Sequence, residues 1–150
     1  MIFNDTRVTF VLLCLNYGFF ALFRKCVSTS LPWLSQDLNL TKHDMGLISS
    51  AFATGYGLSK VFGSAACDYV RPKWILGFGL ALASMTAFII ACFPSPTVMI
   101  SCWALQGIAQ GVAWPSISFI ICSNFSHRRR AAIWSAVSSV SYSIALITFL

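Results

Sequence analysis

Acidic side chains are scarce in this sequence, which has no glutamate and only four aspartates: Asp5, Asp37, Asp44 and Asp68. Charged residues form 9% of the 150 residues and hydrophobic residues 57%, whereas about a quarter of a soluble domain is charged. This composition excludes a soluble globular domain and places the chain in lipid. A hydrocarbon core of ~30 Å requires ~20 apolar residues per helix, so the length predicts an all-α, polytopic transmembrane bundle of about five helices.

Enzyme, metal and cofactor motifs are also missing. The sequence has no Ser-His-Asp or Cys-His arrangement, no phosphate-binding glycine loop and no carboxylate pair, so we expect neither an enzyme nor a cofactor. His43 and His127 lack partners at metal-ligand spacing, so no metal site is expected. None of the six cysteines forms a C-x-x-C pair, and we interpret them as free thiols, most of them in apolar runs.

Basic residues are in excess, with a formal net charge of +6, but they are scattered and form no basic face with interleaved aromatics. This argues against nucleic acid as a partner. Arg7, the Arg71–Lys73 turn and the Arg128–Arg130 run fall on one side of the predicted membrane, whereas the other side offers only Lys42. The excess of basic residues predicts that the N-terminus is cytoplasmic and that Arg128–Arg130 anchors the chain at lipid headgroups.

Apolar runs predict the helices themselves. Pro32 is expected to break the first helix, and the Pro94–Pro96 turn to end the third. The fifth run is still apolar at Leu150 without a stop signal, so residues 1–150 are expected to be an N-terminal transmembrane bundle truncated within its fifth helix. The predicted helices cover about Thr9–Leu31, Met45–Cys67, Trp74–Phe93, Thr97–Cys122 and a fifth from about Ala131.

Three cations, Arg24, Lys25 and Lys60, fall inside apolar runs that contain no acidic residue. A charge at the bilayer centre costs ~2.5 kcal/mol or more, so such a cation is expected to face a water-filled cavity and bind an anion. Arg24 and Lys60 are predicted to lie at similar depth. A guanidinium and an ammonium together favour a phosphate monoester or inorganic phosphate. The alternative is extension to the membrane interface, which for Lys25 is an equally good interpretation.

The fourth predicted helix contains a run of polar and small residues. Gly107 and Gly111 are four apart and predict close contact with another helix, while Gln110 needs a polar partner in lipid. Pro115 frees a backbone carbonyl that a cavity wall can satisfy. Trp114 lies one turn beyond Gln110 and either lines the cavity or fills the packing.

Two connections carry further candidates. Between the second and third helices, Asp68 can pair with Arg71 or Lys73 or cap the neighbouring helix, although the segment by itself is an ordinary polar turn. Asn39 begins an N-x-[ST] sequon that the predicted topology places on the far side of the membrane, and its glycosylation stays open.

Four stretches carry a resemblance to a known family: Phe23-Arg24-Lys25, Tyr56-Gly-Leu-Ser59-Lys60 followed by Asp68, Gly107 to Pro115, and Trp134 at the start of the fifth helix. They are similar to the major facilitator superfamily, and within it to the organophosphate:phosphate antiporters. The resemblance implies a fold of two six-helix halves with the binding site between them. This chain would supply the first five helices, and the remaining helices of the full-length protein would be its partners.

The resemblance also implies roles for residues. Arg24 would bind phosphate, and Lys60 would line the same path. Beside these two, we expect Gln110 and Trp114 to shape the cavity wall and count Lys25 and Tyr56 among the candidate substrate-binding residues. The segment from Asp68 through Arg71 to Lys73 would be a degenerate form of the loop that braces the helices during alternating access. The implied activity is exchange of a sugar phosphate, first of all glucose 6-phosphate, for inorganic phosphate in the endoplasmic reticulum membrane.

Two alternatives stay open from the sequence. One is a carrier of the same superfamily for another organic anion, such as a carboxylate. The other is a transport-inactive truncated product that binds a partner membrane protein through the face containing Gly107 and Gly111.

Overall fold

The computed structural model describes residues 6–149, with side chains described for residues 6–144; Asp5 and Leu150 lie outside the described residues. Within that range the chain is helical and contains no strand, which confirms the predicted all-α bundle. The five helices are joined by short connections. They are α1 (Thr6–Asp37), α2 (Lys42–Tyr69), α3 (Pro72–Cys92), α4 (Pro96–Asn124) and α5 (His127–Phe149).

The prediction that Pro32 breaks the first helix is wrong, because α1 continues through Pro32 to Asp37. A proline inside a helix removes one backbone hydrogen bond and normally kinks or ends it. Here two leucines close to Pro32 are packed, although Trp33 directly after it is exposed. Leu31 and Leu34 contact a buried cluster centred on Ile48, Met99 and Trp103. The apolar surface that these contacts bury offsets the lost hydrogen bond, so packing overrides the local signal.

The connection after α1 uses local hydrogen bonds. Asn39 adopts a positive φ of 51°, a left-handed conformation that asparagine tolerates better than most residues. Thr41 then caps α2: its hydroxyl accepts from the Asp44 amide at 3.2 Å, and the Asp44 carboxylate accepts from the Thr41 amide at 3.0 Å. This reciprocal pair is a capping box, and its hydrogen bonds hold the pKa of Asp44 below its ordinary value.

Packing divides the bundle into two groups of helices. α4 contacts mainly α2 and α3, whereas α1 contacts mainly α5, and contacts between the two groups are fewer. Among the described residues, α4 contributes more buried residues than any other helix. A buried hydrogen bond of 2.6 Å from the Thr86 hydroxyl to Gln106 Oε1 joins α3 to α4.

The seam between α2 and α4 brings backbone against backbone. A Cβ atom at Gly55 would lie 2.5 Å from the carbonyl oxygen of Ala104, and one at Gly63 would lie 2.8 Å from Cα of Val112. Cβ atoms at Gly107 and Gly111 would likewise meet atoms of α2. The face that the sequence offers to a partner protein is therefore covered by α2 of the same chain.

Three of the helices, α1, α3 and α4, are long and apolar enough to cross a membrane by length and composition. α2 and α5, with 28 and 23 residues, are long enough, but their described residues contain no stretch that is apolar enough by the same measure. α5 begins with a basic run and also carries serines, several of which satisfy their hydroxyls within the helix. Ser135, for example, donates to the Ala131 carbonyl oxygen at 3.0 Å, and Ser139 donates to that of Ser135 at 2.8 Å.

Candidate anion-binding site

Arg24 lies near the middle of α1 and lines two neighbouring cavities between the helices. The smaller, of about 20 Å³, has room for about one water molecule. The larger, of about 370 Å³, opens between α1, α4 and α5 and contains both Arg24 and Lys25. The smaller cavity is lined by Tyr17, Phe20, Ala21, Arg24, Tyr56, Gln110, Ala113, Trp114 and Ile117. The larger is lined by Tyr17, Arg24, Lys25, Ser28, Trp114, Ser138, Ser141 and Tyr142.

Lys60 reaches the same region from α2. Its Nζ atom lies 5.0 Å from the ring centroid of Tyr56 and 5.4 Å from that of Trp114. Both rings line the smaller cavity, so Lys60 is held beside the space that Arg24 faces. A cation over an aromatic face gains ~0.5–2 kcal/mol. This attraction favours keeping the ammonium within the bundle, where none of the described carboxylates lines the cavity.

Trp114 connects the elements around the cavities. Its ring centroid lies 5.5 Å from that of Tyr17 on α1 and 4.7 Å from that of Trp134 on α5. With Lys60 above it, this indole touches α1, α2 and α5 from its place on α4. Of the two interpretations that the sequence leaves for Trp114, the geometry favours lining the cavity.

Carboxylates are absent from the lining of both cavities among the described residues. Asp37 and Asp68 are exposed, and Asp44 is hydrogen-bonded to Thr41. Within residues 6–144 no ion pair joins Arg24 or Lys60 to any of these aspartates. The positive charges of Arg24 and Lys60 are thus left for an anion from outside the described part of the chain to neutralise.

Gln110 adds an unsatisfied donor to the smaller cavity. The residue is 5% exposed, and its Nε2 atom has no hydrogen-bond partner in the described part of the chain. Leaving a buried donor unsatisfied costs ~1–3 kcal/mol. An acceptor oxygen in the cavity, from water or from an anion, would remove that cost.

Tyr17 and three residues of α5, Ser138, Ser141 and Tyr142, line the cavities but were not predicted as site residues. Tyr17 lies seven residues before Arg24, about two helical turns, and therefore on the same face. The α5 residues follow the i, i+3, i+4 spacing of one helix face. Such spacings are visible in the sequence, but which face meets the cavity depends on how the helices pack.

The loop candidates lie away from the cavities. Asp68, Arg71 and Lys73 are exposed at the connection between α2 and α3. The expected pairing of Asp68 with either cation is not present among the described side chains, and the N-cap of α3 has no side-chain hydrogen bond. Lys73 instead places its Nζ atom 5.4 Å from the ring centroid of Trp74. The bracing role of this segment stays a prediction.

The residues predicted for helix packing are separate from the cavity lining. Gly107 and Gly111 face α2, and Pro115 lies inside α4, which continues through it to Asn124. Gly111 directly follows Gln110 in α4. The same part of the helix therefore packs against α2 through its glycines and lines the smaller cavity with Gln110.

Long helices, apolar outer faces and cationic side chains turned toward internal cavities define the class of polytopic helical membrane proteins. Residues 13–150 match the family model described as Major Facilitator Superfamily, and the chain belongs to that family. Family membership points to a transporter and not to an enzyme.

Several curated proteins are similar to the chain, which spans only about 30% of the length of those it matches first. One is the "Probable hexose phosphate transport protein" of Chlamydia pneumoniae, which is 29% identical to the chain; the match covers 91% of the chain and 30% of the relative. The "Glycerol-3-phosphate transporter" of Bacillus subtilis (strain 168) is 26% identical, and the match covers 87% of the chain and 31% of the relative. The "Probable anion transporter 3, chloroplastic" of Oryza sativa subsp. japonica is 32% identical, and the match covers 73% of the chain and 21% of the relative.

Proposed function

We propose that this chain is the N-terminal part of a carrier that exchanges a sugar phosphate for inorganic phosphate by alternating access. The proposal is carried by one observation: Arg24 and the unsatisfied Gln110 amide line the smaller cavity, Lys60 lies beside it, and none of the described carboxylates lines it. It is supported by relatives whose names refer to hexose phosphate and glycerol 3-phosphate.

Each of these groups has a role in the proposed site. The Arg24 guanidinium would bind the phosphoryl group through two parallel N–H···O hydrogen bonds, which its planar fork allows. Lys60 would add a second charge from the faces of Tyr56 and Trp114, and Gln110 Nε2 would donate to a phosphoryl oxygen. These interactions replace the hydration that a phosphate dianion loses on entering the bundle.

Exchange follows from the same electrostatics. An empty carrier would have to reorient with uncompensated cations in a poorly hydrated interior, which is costly. A bound phosphate or sugar phosphate neutralises them, so the occupied carrier changes conformation more readily than the empty one. One anion would therefore leave only when another enters.

The larger cavity suits the sugar portion of the substrate. Ser138, Ser141 and Tyr142 bring hydroxyl groups to the wall opposite Arg24 and Lys25, and hydroxyls both donate to and accept from sugar hydroxyls. We propose glucose 6-phosphate as the sugar phosphate and the endoplasmic reticulum as the membrane, with the N-terminus in the cytoplasm. The opposing half of the site would come from the remaining helices of a full-length carrier.

Exchange in proteoliposomes tests this function. The full-length carrier, reconstituted in vesicles loaded with inorganic phosphate, should take up radiolabelled glucose 6-phosphate only while internal phosphate is present. External inorganic phosphate should compete with that uptake. A carboxylate carrier would take up a dicarboxylate and be indifferent to phosphate, and that result would replace the phosphate assignment.

The 150-residue chain alone serves as a second test, because it lacks the opposing helices that alternating access needs. Vesicles containing it should show no exchange above that of protein-free vesicles. Measurable exchange by this chain would contradict the assignment of the site to an interface between two halves.

A further inference from the structure

Two aromatic rings separate the two cavities around Arg24. Tyr17, Trp114 and Arg24 line both the smaller cavity of about 20 Å³ and the larger one of about 370 Å³, and no other described residue lines both. The ring centroids of Tyr17 and Trp114 lie 5.5 Å apart, which is a contact distance for aromatic rings. These two rings therefore stand between the cavities, and we call them the aromatic partition.

The two sides of the aromatic partition differ in size and polarity. The smaller cavity has room for about one water molecule, and most of its remaining wall is apolar. The larger cavity has room for many water molecules, and Ser28, Ser138 and Ser141 bring hydroxyl groups to it. Water therefore fills the larger cavity readily, whereas the partition keeps it out of the smaller one.

Gln110 lies on the dry side of the aromatic partition. It lines only the smaller cavity, it is 5% exposed, and its Nε2 atom has no hydrogen-bond partner in the described part of the chain. A buried donor without an acceptor is unfavourable. Arg24 lines both cavities, so the partition also limits the number of water molecules that can surround its guanidinium. The empty site is thus poorly hydrated because two rings are in contact.

A phosphoryl group can supply what water does not. It is larger than one water molecule, so it reaches Gln110 only when the rings of the aromatic partition separate. Its charge-assisted hydrogen bonds to Arg24 are stronger than those of water and can offset the lost ring contact. Tyr17 is the ring that can turn aside, because Trp114 also contacts Trp134, whereas Tyr17 contacts only Trp114 among the described rings.

We propose that the aromatic partition makes exchange obligatory: it keeps the empty site dry, so that the empty carrier reorients slowly, and it opens when a phosphoryl group binds. This inference rests on the proposed function and adds a role for Tyr17, as a positioning residue that keeps the partition closed through its contact with Trp114. Without the Tyr17 ring, water from the larger cavity would satisfy Gln110 and hydrate Arg24. The empty carrier would then reorient more easily, and phosphate would cross without a counter-substrate.

Labelling by a water-soluble methanethiosulfonate tests whether the aromatic partition excludes water. The reporter is Ala113→Cys, at a position that lines only the smaller cavity, in the full-length carrier with its other cysteines replaced by serine. A thiol reacts as the thiolate, which needs water, so labelling should be slow with Tyr17 present and at least about tenfold faster in Tyr17→Ala. Ser138→Cys in the larger cavity should react rapidly in both backgrounds, and Ala21→Cys is a second reporter of the smaller cavity.

Net efflux tests the consequence for transport. Proteoliposomes loaded with labelled phosphate are diluted into medium with or without phosphate, and the ratio of the two efflux rates measures how strictly the carrier exchanges. Tyr17→Ala should raise efflux into phosphate-free medium about tenfold, the effect of satisfying one buried donor. Tyr17→Phe, which restores the ring, should recover the ratio of the unmodified carrier. Phe19→Ala deletes a ring that is 49% exposed on the outside of α1 and should not alter the ratio.

The outcomes separate this inference from the proposed function. If Tyr17→Ala exchanged as strictly as the unmodified carrier, or left Ala113→Cys as slow to label, the inference would be overturned and the proposed function would stand. If the unmodified carrier did not exchange phosphate, both would be overturned. Equal effects of Tyr17→Ala and Phe19→Ala would mean a general loosening of α1 and would also contradict the inference.

Discussion

Arg24 is the residue on which the proposed function depends most. Replacing it by glutamine should lower the rate of phosphate exchange by the full-length carrier about a hundredfold or more, because removing one partner of a buried charged pair costs ~2–5 kcal/mol. Radiolabelled phosphate exchange in proteoliposomes measures the effect. Membrane insertion should be unchanged, since the substitution removes a charge from an apolar helix.

Arg128→Gln is the matched control for Arg24→Gln, because it makes the same chemical change at an exposed position at the start of α5. Its exchange rate should equal that of the unmodified carrier. If Arg24→Gln also exchanged phosphate normally, the site would have to be assigned to other residues.

The capping box of α2 belongs to the scale of the helix and is sensitive to pH. In the folded chain, the hydrogen bonds from Thr41 hold the pKa of Asp44 below its ordinary value of 3.8. A carboxyl whose pKa is lower in the folded state contributes stability above its unfolded pKa, and that contribution is lost as the pH falls through the folded pKa. The apparent melting temperature of the unmodified chain should therefore decline below about pH 4.

Asp44→Asn isolates this contribution to the pH dependence. The difference in melting temperature between the unmodified chain and Asp44→Asn should be largest at neutral pH and should shrink as Asp44 becomes protonated. Asp37→Asn, an equivalent change at an exposed aspartate that ends α1, is the control and should leave the pH dependence in place. If the two melting temperatures differed by the same amount at every pH, protonation of Asp44 would not be linked to the stability of the fold.

The seam between α2 and α4 gives a second prediction for the helices. Gly111→Ala would place a methyl group against Ser59 Oγ and 2.6 Å from the Tyr56 carbonyl oxygen, so the helices must separate. Such overpacking costs ~1–3 kcal/mol and should lower the apparent melting temperature in detergent. Gly57→Ala is the control, because nothing lies within 4 Å of a Cβ atom there.

The control should even raise the melting temperature slightly, since alanine favours a helix over glycine by up to ~1 kcal/mol. If both alanine variants behaved alike, the close approach of α2 and α4 would not describe the folded chain. The comparison needs no substrate, so it is independent of the proposed function.

For the whole molecule, composition and run length were enough to predict five helices, because lipid requires long apolar segments. Their ends were less predictable. The prediction that α5 starts near Ala131 missed residues His127 to Arg130, because a run of basic residues is typical of a loop. In the structure these residues form the first turn of α5, and Arg130 donates to the Phe125 carbonyl oxygen at the end of α4. The sequence predicted a helix break at Pro32, because the contacts that hold the helix together there join residues far apart in the sequence, in α1, α2 and α4.

The candidate site was predictable where a residue is anomalous by itself. Arg24 and Lys60 stand out as cations in apolar runs, and Gln110 as an amide among glycines. Tyr17 and Ser138 are ordinary residues of their helices, and only the packing of α1, α4 and α5 brings them to the cavities.

The division of the bundle into two groups of helices has a mechanical consequence. Where α2 meets α4, the backbones are in contact at the glycines. This contact is made largely by backbone atoms, which have no rotamer to change, so the two helices cannot shift without losing it. Between α1 and α4 the contact is made by side chains such as Tyr17 and Trp114, which can change rotamer. Relative motion should therefore occur mainly between the group of α1 and α5 and the group of α2, α3 and α4. Spin-label distances between α5 and α3 in the working carrier should then show a broader distribution than distances between α2 and α4.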